Sequence, residues 1–243
     1  MSNTLFLRLE GPLQSWGERG RWSQRDTAPE PTKSGIVGLL ACTLGLQADE
    51  DLTQLSRQIQ LGVRCDRSGV SYTDYHTIGG GYDTPQLLTA AGKLKYTPGN
   101  EPHTELTYRE YLHDASFLAA VQATPELIHR LAEAVQAPYW VIYLGRKSCP
   151  PSCPLYEGVG DYPSLQTALQ DWPWYCPEAK EEIQVNARTV LPDQPADGAA
   201  RRRHEVISRS RRMYGPYYTQ DILLKNINVI PGFPPFAPKF QDI

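Results

Sequence analysis

The sequence predicts an α+β fold of the ferredoxin-like (RRM-like) type, followed by a small β-rich C-terminal extension. Two observations lead to this expectation. Segments in which apolar and polar residues alternate are separated by segments whose apolar residues recur at helical spacing. Their order is strand, helix, strand, a long insertion, strand, helix and strand, which is the split βαβ pattern of a ferredoxin-like domain.

The first half of this pattern contains two strands and at least one helix. Thr4–Glu10 and Gln60–Cys65 alternate apolar and polar side chains, and both are predicted strands. Between them, residues 32–46 carry apolar side chains at helical spacing behind Ser and Thr caps, which predicts a helix. A second, short helix is expected near Asp51–Gln58.

A long insertion separates the second predicted strand from the third. Residues 67 to about 112 are interrupted by Gly79–Gly81 and by Pro98 and Gly99, and they show no apolar period. Loops of this length inside a compact domain tend to be functional or mobile. A regular pattern returns at Asp114–Val121, the third predicted strand.

The second helix and the fourth strand follow directly. Residues 124–126 (Thr-Pro-Glu) combine a cap, a proline in the first turn and an early acid, and apolar residues then share one helical face. Tyr139–Leu144 is the fourth predicted strand. We assign residues 1–145 to the ferredoxin-like domain. Residues 146–243 form a small β-rich region and tail, with weak strands near 183–190, 204–208 and 221–229.

The composition excludes several classes of protein. The chain has 243 residues, of which 40% are hydrophobic, so it can bury a sizeable core. No apolar run reaches the roughly 18 residues that a membrane span needs, and Met1–Thr4 lacks the features of a secretory signal. Five scattered cysteines do not suggest a disulfide framework. We therefore expect a cytoplasmic protein with no membrane partner.

One short segment is strongly basic although the formal net charge of the chain is −3. It contains one glutamate and six arginines, Arg201, Arg202, Arg203, Arg209, Arg211 and Arg212. On an otherwise acidic chain, such a cluster is a candidate contact with nucleic acid or with a partner protein. A solvated surface loop is the alternative.

The start of the first predicted helix has the chemistry of an anion site. Lys33, Ser34 and Gly35 combine a cation with unpaired backbone N–H groups at the positive end of a helix dipole. The upstream glycine of a nucleotide-binding P-loop is missing from the sequence, so we expect phosphate binding without NTP hydrolysis. An ordinary N-cap is the alternative.

Two aromatic segments, Tyr72–Thr77 and Thr107–Asp114, border the insertion. Their tyrosines are interleaved with His and Arg, which allows stacking on bases together with phosphate pairing. A strand pair flanking a hairpin, with half-buried tyrosines, fits the same pattern. The third predicted strand lacks the Lys/Arg-Gly-aromatic run of RNA-recognition sheets. We therefore expect RNA contacts from loops and helix ends, including the basic pair at residues 146–147.

Neither a metal site nor an established catalytic motif is evident. Cys149 and Cys153 have no second Cys/His pair at zinc spacing, so we expect no metal and no other cofactor. A metal-independent ribonuclease needs only a base and a charge stabiliser. His76 and Lys33 could supply these two groups, although the sequence does not argue for that activity.

Six sequence blocks resemble the CasD subunits of type I-E CRISPR Cascade complexes, a family of CRISPR-associated RAMP-type proteins. The blocks occur in the family's order and cover most of the first 155 residues: Gly11–Gly17, Pro31–Leu40, Val63–Asp66, Asp74–Thr77, Tyr108–Phe117 and Tyr143–Pro150. Six ordered blocks are far more specific than any single motif.

The resemblance implies a non-catalytic subunit of an antiviral ribonucleoprotein complex. In this family the subunit binds the 5′ handle of the CRISPR RNA and caps the backbone of repeated subunits. The insertion forms a β-hairpin thumb that reaches toward the adjacent backbone subunit, the large subunit docks nearby, and double-stranded target DNA is an indirect partner. Similar type I-C proteins cut the repeat RNA, so a metal-independent endoribonuclease is the alternative function.

Carried onto this chain, the resemblance identifies segments, and chemistry suggests the individual side chains. The candidate RNA-binding residues are Gln14, Trp16, Lys33, Ser34, Tyr75, His76, Arg109, Tyr111, Arg146 and Lys147. Trp16 is also compatible with a core position that orients Gln14 and Lys33. Residues 201–212 and the tail from Pro231 match no family block, so their roles stay unassigned.

Overall fold

The structure, a computed structural model, describes residues 2–21, 23–81, 86–195 and 199–234, which form a mixed α/β fold. The described strands are β1 (Thr4–Gln14), β2 (Gln24–Arg25), β3 (Gln60–Arg67), β4 (Val70–Gly79), β5 (Thr104–Gln122), β6 (Tyr156–Gly160), β7 (Trp174–Cys176), β8 (Ile183–Pro192), β9 (Ala200–Ser208) and β10 (Met213–Pro231). The described helices are α1 (Lys33–Leu44), α2 (Asp49–Gln58), α3 (Pro125–Gln136) and α4 (Leu165–Asp171).

Four antiparallel strands in the order β6-β1-β5-β3 make up one end of the sheet. Leu5, Leu7 and Leu9 of β1 lie in a core cluster with Ile36 of α1, and α2 and α3 contribute to the same cluster. This is the face that the alternation of β1 predicts. Phe6 belongs to the opposite face, where the residues of α4 join its cluster. Helices therefore cover both faces of this part of the sheet.

Two helix starts follow the capping chemistry read from the sequence. The Thr32 hydroxyl accepts a hydrogen bond from the backbone N–H of Gly35, and the Thr124 hydroxyl accepts one from Leu127. Each bond satisfies one N–H group that the first helical turn cannot pair internally. At the other end of α1, Gly45 ends the helix in the left-handed conformation, with φ of 73°. The predictions of α1 and α3 are confirmed.

The fourth predicted strand was wrong. Tyr139–Leu144 forms no strand, and β6 occupies the outer edge of β1, so the fourth strand begins beyond residue 145. The Tyr139 N–H donates to Thr43 O at 3.0 Å, and this contact draws the segment across the end of α1. Alternating apolar residues predicted a strand here, but Val141 is 84% exposed. The alternation of residues 139–144 did not show that β6 would pair with the edge of β1 in their place.

A buried ionic cluster explains why β6 occupies that edge. Glu157 of β6 accepts two hydrogen bonds from the Arg8 guanidinium, at 2.7 and 2.9 Å. Asp66 of β3 accepts from Arg8 at 2.6 Å and from Arg64 at 2.6 Å. Buried carboxylates and guanidiniums require such pairing, because isolated charges are strongly disfavoured away from water. The Val63–Asp66 block therefore contributes to the core of the fold.

The C-terminal strands continue the same sheet. β8 pairs with β3 through Val63↔Val190 and its two neighbouring residue pairs, and β10 and β7 follow on the outer side. The weak strands expected near 183–190, 204–208 and 221–229 correspond to β8, β9 and β10. β9 pairs only with β10 among the described strands and lies against α2 and α1.

The predicted insertion contains a long β-hairpin made by β4 and the first half of β5. Its ladder runs from Val70↔His113 to Gly79↔Thr104. The third strand therefore begins ten residues before the expected start at Asp114. Many residues of this ladder are exposed, so no apolar alternation marks it in the sequence.

In the described part of the chain, no helix is long and apolar enough to span a membrane.

Candidate nucleic-acid interface

The segment after β1 forms a closed loop that presents two arginines. The Trp16 N–H donates to Thr27 Oγ1 at 2.8 Å, and the Ala28 N–H donates to Trp16 O at 2.7 Å. Arg19 and Arg21 are exposed within the loop that these bonds close. Because its ends are joined, the loop holds both guanidinium groups near the base of the β4–β5 hairpin.

Asp26 fixes the conformation of this loop from within. Its two carboxylate oxygens accept hydrogen bonds from the backbone N–H groups of Glu18, at 3.3 Å, and Arg19, at 2.7 Å. The Arg21 N–H donates to Gln24 O at 2.6 Å, which links this part of the loop to β2. The carboxylate of Asp26 is thus engaged by backbone amides.

β5 supplies the opposite wall. Gln24 and Arg25 pair in parallel with Tyr108 and Arg109, and the Tyr108 N–H donates to Ser23 O at 2.8 Å. Tyr75 lies directly across the hairpin from Tyr108, with ring centroids 5.7 Å apart and an interplanar angle of 65°. Tyr75 is 55% exposed and Tyr108 46% exposed, so both rings are accessible to a ligand.

Together these elements enclose an open cleft of about 480 Å³, which we call the hairpin-base cleft. Its lining residues are Arg19, Gly20, Arg21, Gln24, Arg25, Asp26, Thr73, Tyr108 and Glu110. A carboxylate oxygen of Glu110 accepts from the Thr27 N–H at 3.4 Å, so this second acid also faces a backbone amide. The cleft combines three guanidinium groups with an exposed aromatic ring.

Arg146 contacts both walls of the cleft, β5 on one side and residues 25–26 on the other. Its guanidinium stacks on the Tyr111 ring at 4.6 Å and donates to Glu110 O at 3.0 Å. It also donates to Arg25 O at 3.0 Å and to Asp26 O at 3.3 Å. Tyr111 is buried, and Arg146 is half-buried. The structure thus engages Arg146 in holding the cleft together and leaves the neighbouring Lys147 side chain exposed.

Gln14 and Trp16 lie in the core and have almost no accessible surface. Trp16 is 1% exposed, and its indole N–H donates to Gln14 Oε1 at 3.0 Å. The Gln14 amide donates to Leu9 O at 3.0 Å and to Ala115 O at 2.8 Å. Their expected direct contact with RNA is corrected to a supporting role, because every polar atom of this pair is already paired within the protein.

Lys33 is also withdrawn from the surface. It is 5% exposed, its Nζ lies 2.7 Å from Glu205 Oε2, and the same atom is 4.6 Å from the centre of the Tyr217 ring. The expected phosphate site at the start of α1 is therefore corrected to an ion pair between α1 and β9. The half-buried Ser34 hydroxyl lies 3.4 Å from Thr32 Oγ1. No local pattern indicated that a glutamate 172 positions away would pair with this lysine.

The opposite face of the hairpin carries the remaining expected contacts. His76 Nε2 lies 2.5 Å from Asp74 Oδ2. Asp74 lies opposite Arg109 in the register of the β4–β5 ladder. Arg109 is half-buried, and its Nε donates to Thr107 Oγ1 at 3.3 Å. Because side chains alternate between the two faces of a strand, this group faces away from Tyr75 and Tyr108.

The arginine run at residues 201–212 divides into two parts. Arg202 lies 3.3 Å from Glu18 and 3.4 Å from Glu30, so it is an internal ion-pair partner and no longer a free contact. By contrast, four guanidinium groups are exposed, those of Arg201, Arg209, Arg211 and Arg212. The side chain of Arg203 lies outside the described residues.

His204 lies beside this internal network. Its Nε2 is 3.6 Å from Glu18 Oε1, and its residue is 4% exposed. Burial lowers the pKa of His204 to about 4, and the nearby Arg202 charge acts in the same direction. The imidazole is therefore neutral near pH 7.

The cysteines and carboxylates provide no metal site in the part of the chain that the structure describes. No group of three or more His, Cys, Asp or Glu residues there could hold an ion. All five cysteines are free, and burial raises the pKa of Cys149 and brings that of Cys153 to about 12. Thiols with raised pKa values are poor nucleophiles.

Sequence reasoning missed the arginines of the hairpin-base cleft. The segment Arg19-Gly20-Arg21 follows the Gly11–Gly17 block directly, and its basic residues in a glycine-containing loop were the available signal. The position of β2 beside Tyr108 gives these arginines their significance. A two-residue strand carries no periodicity that a sequence could reveal.

Comparison with known proteins gives consistent results. The family model described as CRISPR-associated protein (Cas_Cas5) matches residues 4–217. The CRISPR system Cascade subunit CasD of Escherichia coli (strain K12) is 37% identical over 185 residues, which cover 71% of this chain and 78% of that protein.

Two solved structures resemble the whole fold. One is titled CRISPR RNA-guided surveillance complex, with a TM-score of 0.75, 30% identity and 94% of both chains covered. The other is titled Crystal structure of Cas protein, with a TM-score of 0.69 and 32% identity, and it covers 96% of this chain and 100% of that one.

Proposed function

Because the chain belongs to the Cas5 family of CRISPR-associated proteins, we propose that it is the Cascade subunit that binds the 5′ handle of the CRISPR RNA. In this role it caps the backbone of a type I-E surveillance complex. The likeness to the Cascade subunit CasD and to a chain of an RNA-guided surveillance complex supports this proposal.

The hairpin-base cleft is the observation that carries the RNA-binding role. Arg19 and Arg21 offer guanidinium forks that match phosphate oxygens, and the two flanking tyrosines offer faces for base stacking. Phosphate contacts fix the register of an RNA, and contacts with its bases select the sequence. The cleft brings both kinds of group together.

The strand order supports a ferredoxin-like domain with a thumb. β6-β1-β5-β3 is the order expected when two split βαβ units interleave, and the β4–β5 hairpin extends from it. We propose that the exposed outer face of this hairpin, with His76 and Arg109, contacts RNA or the adjacent backbone subunit. We expect the large subunit to dock nearby and the duplex target to be an indirect partner.

A scaffold role fits the geometry better than repeat cleavage. The two groups that could serve a metal-independent ribonuclease are separately engaged, His76 with Asp74 and Lys33 with Glu205. A base and a charge stabiliser must converge on one phosphate to act together. Incubating the purified chain with labelled repeat RNA in chelator should leave the RNA intact, and cleavage abolished by His76→Ala would overturn the scaffold assignment.

The RNA-binding proposal is tested by removing the two exposed charges of the loop. The variant R19Q/R21Q should bind handle RNA more weakly, with the slope of log K against log salt reduced by about 1.4 for single-stranded RNA. The matched control, R130Q/K180Q, neutralises two exposed cations elsewhere on the surface and should keep the original slope. Fluorescence anisotropy across a salt titration measures both. An R19Q/R21Q variant that follows the control would contradict the proposed site.

A further inference from the structure

The turn between β9 and β10 is a second cationic surface, distinct from the hairpin-base cleft. It comprises Arg209, Ser210, Arg211 and Arg212, and we call it the arginine turn. Its three guanidinium groups are exposed and form no ion pair with any residue in the described part of the chain. This arrangement differs from that of Arg202, which two glutamates neutralise.

The arginine turn is held in one conformation by Asp49 at the start of α2. Asp49 Oδ2 accepts from the hydroxyls of Ser208 and Ser210, each at 2.6 Å, and its Oδ1 accepts from the Ser210 N–H at 3.2 Å. The Arg212 N–H donates to Arg209 O at 3.1 Å and closes the turn. The Asp49 carboxylate is therefore bonded to serines and forms no ion pair with the arginines of the turn.

The backbone of the turn is strained at an arginine. Arg212 has φ of 51°, in the left-handed region that glycine and asparagine adopt more readily. Strain held in place by surrounding bonds is a recognised feature of functional segments.

The composition of the turn indicates what it would bind. Three arginines and one serine give the turn charged and polar groups, and the arginine fork matches the oxygens of a phosphate. Protein–nucleic acid interfaces are polar and strongly positive, whereas the centre of a protein–protein interface is apolar. The exposed apolar side chains nearby, Ile207 and Met213, line a groove between the turn and α2, which Ser210 and Arg211 also border.

We propose that Arg209, Arg211 and Arg212 bind the phosphodiester backbone of a nucleic acid without reading its bases. This contact goes beyond handle binding, because it lies on a different hairpin from the cleft. Its ligand is either the guide RNA outside the handle or the duplex target, since both present the same backbone. In RNA-guided recognition, protein contacts of this kind read backbone and shape while base pairing reads sequence.

The test uses the full chain assembled with its partner subunits and guide RNA. The variant R209Q/R211Q/R212Q should weaken binding of a labelled duplex target and reduce the salt slope by about 2.7 if all three residues contact phosphates. If the guide RNA is the ligand, the reduced slope should instead appear when guide RNA is titrated into the protein subunits without target. The control variant R130Q/K180Q should behave like the unaltered protein.

Other outcomes separate this proposal from its rivals. Unchanged affinity and slope for both nucleic acids would overturn it, as would loss of a partner subunit with nucleic-acid binding intact, which would indicate an acidic protein surface as the ligand. Asp49→Ala offers an independent check, because it removes the hydrogen bonds to Ser208 and Ser210 but leaves the three arginines of the turn in place. It should lower affinity severalfold without changing the slope. R19Q/R21Q alters only the cleft, and the triple variant alters only the arginine turn. The two proposals can therefore fail independently.

Discussion

The guanidinium of Arg202 lies 3.3 Å from the carboxylate of Glu18, although 184 positions separate the two residues in the chain. Glu18 belongs to the loop that presents Arg19 and Arg21, and Arg202 belongs to β9. The C-terminal extension therefore contacts the loop that forms one wall of the hairpin-base cleft. This contact makes the extension part of the proposed RNA site, even though it supplies none of the cleft's lining residues.

The Glu18–Arg202 pair should act on RNA binding as a unit. Glu18→Ala and Arg202→Ala should each weaken handle binding roughly threefold to tenfold, because partly buried pairs of this kind contribute about 1 kcal/mol to holding a segment in place. The double variant should lose little more than the worse single variant. Glu126→Ala, an exposed acid on α3, is the control. Strictly additive losses would show that the two residues act separately.

Lys33 and Lys147 should differ in what they change. Lys33→Ala should lower the free energy of unfolding by about 2–3 kcal/mol, because it leaves the partly buried Glu205 carboxylate without its cation. It should leave the salt slope of RNA binding unaltered. Lys147→Ala, at an exposed position, should leave stability within about 0.5 kcal/mol of the original. Urea denaturation and a salt titration distinguish the two. A reduced slope with unchanged stability in Lys33→Ala would restore the phosphate-site interpretation.

Tyr108 should contribute a stacking surface. Tyr108→Ala should weaken binding of handle RNA by roughly 5- to 100-fold, since stacking of a base on an aromatic ring contributes about 1–3 kcal/mol. Tyr108→Phe should retain most of the affinity because the ring is preserved. Tyr72→Ala provides the comparison, because Tyr72 is 53% exposed but faces the other side of the hairpin. Equal effects of the two alanine variants would mean that the cleft face has no special role.

His204 should make the protein less stable in mild acid. Its pKa is about 4 in the folded chain and close to 6.5 when unfolded, so the unfolded state binds the extra proton first. Its contribution to stability is complete above pH 6.5 and is lost as the pH falls toward 4. The groups facing it are Glu18, which is already paired with Arg202, and Arg202 itself, which opposes protonation.

The measurement is the free energy of unfolding at pH 7 and at pH 5. The unaltered chain should lose about 1–2 kcal/mol more than His204→Gln over this interval, since each unit of pKa difference is worth about 1.4 kcal/mol. A loss of the same size in both proteins would assign the acid sensitivity to other groups.

Much of the framework could be predicted from local signals. α1 and α3 carry caps and apolar periods that report on a few adjacent residues, and the alternation in β1 follows from its two differently packed faces. These features depend on short-range chemistry. Their predictions hold because burial and capping act on the same residues that show the pattern.

The proposed site was harder to predict because its geometry depends on distant residues. Lys33 has the local signature of an anion site, but Glu205 occupies its ammonium group. Trp16 and Arg146 lie in blocks that match the family, yet both support the cleft from beneath or behind. The resemblance pointed to segments and chemistry suggested side chains within them, while which of those side chains are exposed depends on contacts that cross the whole fold.

The late position of β9 in the chain has a consequence for synthesis on the ribosome. Residues 17–28 and the start of α1 emerge early, but their ionic partners at 202 and 205 emerge only when most of the polypeptide is complete. Nascent chains fold as their segments become available. The loop that presents Arg19 and Arg21 therefore gains its contact with Arg202 only near the end of translation, and a product truncated before β9 would lack this contact.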